Sequence, residues 1–165
     1  MDGRAEQPRD FASAFEGAFA HLQVMLEMVC VGGDPWHERV RIAVRQALDF
    51  AAEDPAAAGV LTNAALAQGG DGLERYERLM AYLAGLLEPG RAESRHGADL
   101  PPLTERSLAG GVATIVANRI ERGRAEELPG LVPEVVQFIL TPYMGTEEAR
   151  RIAMAGDWRG GQPDR

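Results

Sequence analysis

The side chains of this chain that could do chemistry are few and scattered. Histidines stand at His21, His37 and His96, a single cysteine at Cys30, and neighbouring carboxylates at Glu121 with Glu126 and at Glu147 with Glu148. A zinc site needs its ligands brought together, as in His-Glu-x-x-His or clustered Cys and His, and neither spacing occurs. The stretch "GGDG" is a turn signal, and no GxGxxG or phosphate-loop pattern is present. The acidic pairs fall on wet helix faces or at helix starts, where solvation accounts for them. His21 lies in a central helix, either as a hydrogen-bonded, half-buried imidazole or as a ligand contact. Cys30 sits in an apolar run and reads as a small buried hydrophobe; with no second cysteine, no intrachain disulfide can form, which fits a reducing compartment. No catalytic residue, metal ligand or cofactor is expected, and the chain is not read as an enzyme.

The elements that would have to position any site are helices. Apolar residues recur three and four apart throughout, strand signals are almost absent, and the predicted fold is all-α. A first helix is expected from about Phe11 to Val31, with Phe11, Phe15, Phe19, Leu22, Met25, Leu26 and Val29 over a wide arc. It stops at "VGGDP", where Asp34 suits an N-cap and Pro35 the first helical position. The second helix carries Val40, Val44, Ala47 and Ala51 on one stripe and ends at Asp54–Pro55, the same cap-and-proline device. A short Ala-rich helix follows to about Gln68, then an amphipathic one with Leu73, Tyr76, Met80, Leu83 and Leu87 inward. "EPGRAESRHGADLPP", from Glu88 to Pro102, reads as a long polar linker, mobile or a flap. Beyond it, a helix capped by Thr104 and a second one up to about Tyr143 form a hairpin. A last short helix starts at Thr146 with Glu147 and Glu148 in its first turn.

The net charge of −8 with every basic residue an Arg, none clustered, argues against nucleic-acid binding by these residues. No signal-peptide order and no span of membrane length is present, so a soluble cytoplasmic protein with no membrane partner is expected.

The stretches "PWHERVRIAVRQALDFAAEDP", "LPPLTERSLAGGVATIVANRIERGRAEELPGLVPEVVQFILTPYMG" and "EEARRIA" resemble the C-terminal ligand-binding and dimerisation region of the TetR family of bacterial transcriptional regulators, from about Phe11 to Ala155. The most specific element is the Leu-x-Gly-Gly-Val helix with its Arg-Gly end, followed by a Leu-Pro helix ending in Pro-Tyr-x-Gly. The resemblance implies about seven helices and a homodimer closed by a four-helix bundle. Residues 1–10 would be a tail at the place where family members carry a helix-turn-helix head, residues 11–155 the regulatory domain, and residues 156–165 a disordered tail on which Trp158 could dock. DNA would be a partner only where an upstream helix-turn-helix exists.

The same resemblance implies an apolar effector cavity. It places Phe19, Leu22, Met25, Met80, Leu83 and Ile115 as lining, with Asn63, Tyr76, Thr114 and Asn118 as polar candidates embedded among them. Asn118 could instead bond across a dimer interface, and Thr114 back to its own helix. The dimer face would comprise Gly110, Ala113 and Ala117, small enough for close helix approach, with Val132, Val135, Val136, Ile139 and Tyr143 on the following helix. No Arg falls clearly on an inward arc, so the expected effector is small, apolar and neutral or weakly polar. The rival readings are a helical protein–protein adaptor without a small-molecule ligand and a headless regulator that titrates full-length partners.

Overall fold

The computed structural model describes residues 7–30 and 33–155, and within them every regular element is helical. The elements are α1 (Gln7–Cys30), α2 (Trp36–Glu53), α3 (Pro55–Gly59), a π-helical turn (Val60–Ala64), α4 (Ala65–Ala67), α5 (Gly70–Leu87), α6 (Gly90–Glu93), a 3₁₀ turn (Gly97–Asp99), α7 (Thr104–Glu121), a second 3₁₀ stretch (Ala125–Leu131), α8 (Val132–Met144) and α9 (Thr146–Ala155). The end of the first helix at Val31, the side chain of Cys30, the 156–165 tail and the docking of Trp158 lie outside the described residues. No described helix is long and apolar enough to cross a membrane.

Helix α1 starts at Gln7, four residues before the expected Phe11. Its arc of Phe15, Phe19, Leu22 and Leu26 is buried. The Phe15 and Phe19 rings lie 6.0 Å apart, and the Arg78 guanidinium sits 5.3 Å from the Phe19 centroid while bonding both Glu16 carboxylate oxygens at 2.6 Å. Arg75 reaches the same carboxylate. This strap joins α5 to α1 by pairing charge on the outside with aromatic packing beneath it. Leu73, expected inward, is 47% exposed, because in the first turn of α5 it is Gly72 that packs inward, against Ala65 and Gln68, which turns Leu73 to the outer side.

The caps separate correct from incorrect sequence reading. Asp54 caps α3 as expected: its carboxylate accepts from Ala57 N at 2.9 Å, and Pro55 occupies the first turn. Asp34 does not cap α2. Pro35 takes the N-cap position, and the Trp36 N–H is met at 3.2 Å by the Glu93 carboxylate, a long-range acceptor from α6 that also complements the positive helix end. Nor does Thr104 cap α7; Leu103 holds that position, and the threonine hydroxyl donates to Pro101 O at 2.8 Å.

The segment from Glu88 to Pro102 is a packed strap, in contrast to the mobile linker expected. His96 N donates to Tyr143 O at 2.9 Å, and Arg91 donates to Leu100 O and Pro101 O, both at 2.7 Å. Gly90 and Gly97 are buried within it. The polar composition misleads because those groups bond inward to backbone rather than outward to water.

The helices that follow are legible in outline. Helix α9 spans Thr146–Ala155 as predicted, and its buried Ala149, Ile152 and Ala153 lie against α8. Gly145, the last residue of the Pro-Tyr-x-Gly motif, has φ +86° between them, a conformation that favours glycine and lets the chain reverse at once. The expected hairpin is less direct: between α7 and α8 the 3₁₀ stretch packs on α2, with Leu128 fully buried.

A Cβ at Gly90 would overlap the six-membered ring of Trp36, whereas one at Gly130 meets nothing. Gly90→Ala should therefore cost about 1–3 kcal/mol through overpacking, and Gly130→Ala should stay within about 0.5 kcal/mol of the unaltered protein. Urea denaturation midpoints of the two variants check this; equal stabilities would mean that Trp36 can shift freely.

Candidate functional site

A cavity of about 470 Å³ lies among α1, α2, α3, the π turn, α5, α7 and α8. Its origin is visible in the sequence of its walls. Helix α2 presents Ala43, Ala47 and Ala51 between Val40, Val44 and Phe50, and α7 presents Ala109 and Ala113 beside Val112 and Val116. Helices held apart by Leu22, Leu26, Leu79, Met80 and Leu83 cannot close over such short side chains, so space remains. The π turn adds to it by directing Leu61 and Thr62 to the same wall; the Thr62 hydroxyl is spent on Ala58 O at 2.9 Å.

Polar atoms enter at one end. Trp36 and Arg39, from the first turn of α2, line the cavity with Pro89. Arg39 donates to Asp34 O at 2.6 Å and to Glu93 Oε1 at 3.2 Å. An arginine on an inward arc was not expected; Arg39 lines the cavity while its guanidinium is paired with Asp34 O and Glu93. Trp36 is 2% exposed, and its Nε1 is buried without a hydrogen-bond partner.

Behind Trp36 stands a buried polar chain. Its ring lies 4.6 Å from that of Tyr143, whose hydroxyl donates to Glu105 Oε1 at 2.9 Å; Arg91 donates to Glu105 Oε2 at 2.8 Å. Burial alone would raise the Glu105 pKa, but hydrogen bonds from Arg91, its own backbone N–H and Tyr143 together hold it below the ordinary value of 4.5. The Tyr143 phenol is pushed well above its ordinary 10.0 by burial first and by the adjacent carboxylate second.

The expected ligand residues divide. Leu22, Met80 and Leu83 line the cavity. Phe19 is core, edge-on to Tyr82 at 5.6 Å, and Met25 and Ile115 pack on the core without reaching the space. The four polar candidates gather elsewhere. Asn63, Tyr76, Thr114 and Asn118 line a second hollow of about 160 Å³ with Leu66, Ala117 and Glu121; Thr62 and Ala113 border both spaces. There Asn63 donates to Ala117 O at 3.3 Å, Thr114 to Gly110 O and Asn118 to Thr114 O, both at 2.9 Å, so these groups are held by helix backbone. Burial pushes the Tyr76 phenol up.

The expected dimer face also divides. Val132, Val135, Val136, Ile139 and Tyr143 are all buried in their own chain, as is Ala113, so they cannot meet a partner without unfolding the core. Their role is intramolecular because α8 runs through the interior, covered by α2 and α9. Gly110 and Ala117 of α7 remain partly exposed.

Of the histidines, His21 is exposed and edge-on to Phe50 at 5.4 Å, outside the cavity wall, rather than half-buried or in contact with the cavity. Among the described residues no group of three His, Cys, Asp or Glu side chains could hold a metal ion. Trp36, Arg39, Phe50 and most of the α2 lining were missed as site residues. The signal for them was the alanine-spaced stripe of α2, read only as a packing face.

Glu105 titrates more acidic folded than unfolded, so the unfolded chain binds its proton first as pH falls. Its stabilisation is complete above about pH 4.5, where the unfolded carboxyl is ionised, and declines as pH falls towards the lower folded pKa. Glu105→Gln should therefore cost about 1–3 kcal/mol at pH 7, with the deficit shrinking below pH 4.5. Denaturation curves of both proteins from pH 7 to pH 3 check this; a deficit that does not narrow would remove the carboxylate's charge from the account. No family model, curated protein or solved structure matches this chain.

Proposed function

We propose that this chain is the effector-binding and dimerisation domain of a TetR-like transcriptional regulator that senses a small apolar molecule. The observation that carries the reading is the cavity of about 470 Å³, walled by apolar side chains from seven elements. That size falls in the range of small-molecule sites, roughly 300–1,000 Å³, and such sites are mostly apolar with a few placed polar groups. A cleft this deep, lined almost wholly by apolar side chains, suits a small molecule better than the broad face that a helical adaptor would offer a protein. The resemblance in the Leu-x-Gly-Gly-Val and Pro-Tyr-x-Gly segments supplies the family. With a net charge of −8, these residues give no electrostatic hold on DNA, so DNA contact belongs to a helix-turn-helix head where one is joined to the chain. An effector would act by favouring one of two helix arrangements.

A two-fold dimer belongs to the same reading, on a corrected face. Phe138 of α8 is 44% exposed, and its ring approaches Gly111 of α7, so that an apolar side chain is presented where the two helices meet. Gly111 allows that approach, as a Cβ there would meet the ring at 3.0 Å.

Two outcomes follow. Apolar or aromatic compounds should stabilise the protein by about 2.7 kcal/mol at a hundredfold excess over Kd, and Ala47→Phe, which fills the cavity from α2, should abolish that gain in a thermal-shift assay. Compounds that stabilise Ala47→Phe as much as the unaltered protein would move the site elsewhere. In sedimentation velocity at micromolar concentration the protein should run as a dimer and Phe138→Glu as a folded monomer; an unaltered monomer would rule out the dimer.

A further inference from the structure

The cavity meets solvent at one end and is blind at the other. Among the described residues lining it, Gly85 and Pro89 alone are exposed, and Arg39 beside them is partly so. They mark a mouth at the first turn of α2, because Gly90, next in the chain to Pro89, packs on the Trp36 ring. The α2 wall runs from Trp36 to Ala51, about four helical turns or about 22 Å. At its far end, where α2 passes into α3, Ala51, Ala58, Leu61 and Thr62 are all buried.

Between mouth and blind end the walls form a slot. Ala43, Ala47 and Ala51 stand four apart, which places them one above another on α2, and Ala109 and Ala113 do the same on α7. Val40 and Val44 flank the first row, and Val112 and Val116 the second. A strip of methyl groups between valine ridges admits a thin, unbranched body and obstructs a branched one. The one hydroxyl on the buried walls, that of Thr62, is spent on Ala58 O at 2.9 Å, so a polar group carried deep inside would be costly to bury.

We propose that the ligand is a linear amphiphile with an unbranched saturated chain, which lies along the alanine row with its terminal methyl towards Ala51 and its polar head in water at Gly85 and Pro89. This rests on the small-molecule reading above and names the ligand's shape and direction within it. The mouth is the one place where a head group keeps its hydration, and the blind end is the place where a methyl group loses most contact with water.

The test titrates the full chain with 1-hexanol, 1-octanol, the branched isomer 2-propyl-1-pentanol, 1-decanol and butylbenzene. Affinity should rise about fourfold per methylene from hexanol to octanol, the weight of one buried methylene. The two octanol isomers have the same atoms, so hydrophobicity alone would bind them alike; the linear one should bind at least about tenfold tighter, because the branch overpacks the slot. Val112→Ala lowers one ridge and should shrink that preference at least about threefold. With alanine methyls labelled with ¹³C, the terminal methyl of bound 1-decanol should show nuclear Overhauser contacts to Ala47 and Ala51, and its carbinol protons to Ala43. Isomers that bind equally, or a preference that Val112→Ala leaves intact, would overturn the slot, and binding by butylbenzene alone would overturn the amphiphile; in each case the small-molecule reading stands. Carbinol contacts at Ala51 would overturn the direction. No binding by any probe would overturn both this assignment and the proposed function. The isomer comparison and the contacts use the unaltered protein, so the test holds even where Val112→Ala does not fold.

Discussion

The buried Glu105 carboxylate is the constraint on which the rest depends. An ionised group in that position is tolerable only if its oxygens are met, and they are met by Arg91 and Tyr143. Those two partners come from distant parts of the chain. Arg91 can reach only if the segment between α5 and α7 folds back as a strap, and Tyr143 only if α8 runs inside the molecule. The same arginine then ties Leu100 and Pro101, which fixes the start of α7. One carboxylate therefore sets the position of three elements. Tyr143 carries the constraint to Trp36, and Trp36 begins α2, the longest wall of the cavity.

This arrangement explains why the cavity persists. Short side chains alone would invite the helices to collapse together, with the apolar gain that closer packing brings. Helix α2 is held off at its first turn by the Trp36 ring wedged between Gly90 and Tyr143, and by Glu93 at its N-terminus. On the far side, the Arg78 and Arg75 strap onto Glu16 holds α5 against α1. The alanines of α2 and α7 then face a gap whose two ends are pinned. Interior space here is a product of polar and aromatic fixtures outside the space itself.

How much of this was readable from the chain depends on the range of each interaction. The all-α class, the Asp54 cap and the α9 start were legible because periodicity and neighbouring residues decide them. Leu22, Met80 and Leu83 were legible as lining because a wide apolar arc must face inward somewhere. What failed was long-range. The cap of α2 comes from Glu93, 57 residues away, so Asp34 was the nearer and wrong choice. The strap looked mobile because its bonding partners lie on α7 and α8. The apolar excess of α8 looked like a surface seeking a partner, and Val132, Val135, Val136, Ile139 and Tyr143 are apolar because two layers of the same chain cover them. Periodicity reports that a face is buried, and it carries no information on whether the cover is another helix or another molecule.

On the proposed reading, α8 also joins the cavity to the outer surface. Ile139 lines the cavity, and its chain neighbour Phe138 lies outside on Gly111. Their backbone positions move together, so a molecule that shifts α8 at Ile139 carries Phe138 with it. Ala113 of α7 lines the same space one half-turn from Gly111, which gives the second outer helix the same lever. On the proposed reading, the ligand's differential contacts with Ile139 and Ala113 in two helix positions are what bias the dimer face. The polar chain at Tyr143, one turn further along α8, is the fixed end of that lever, since Glu105 cannot release the tyrosine without losing a partner for its charge. On that reading, motion would fall on the part of α8 that carries Ile139 and Phe138 rather than on the end that holds the strap.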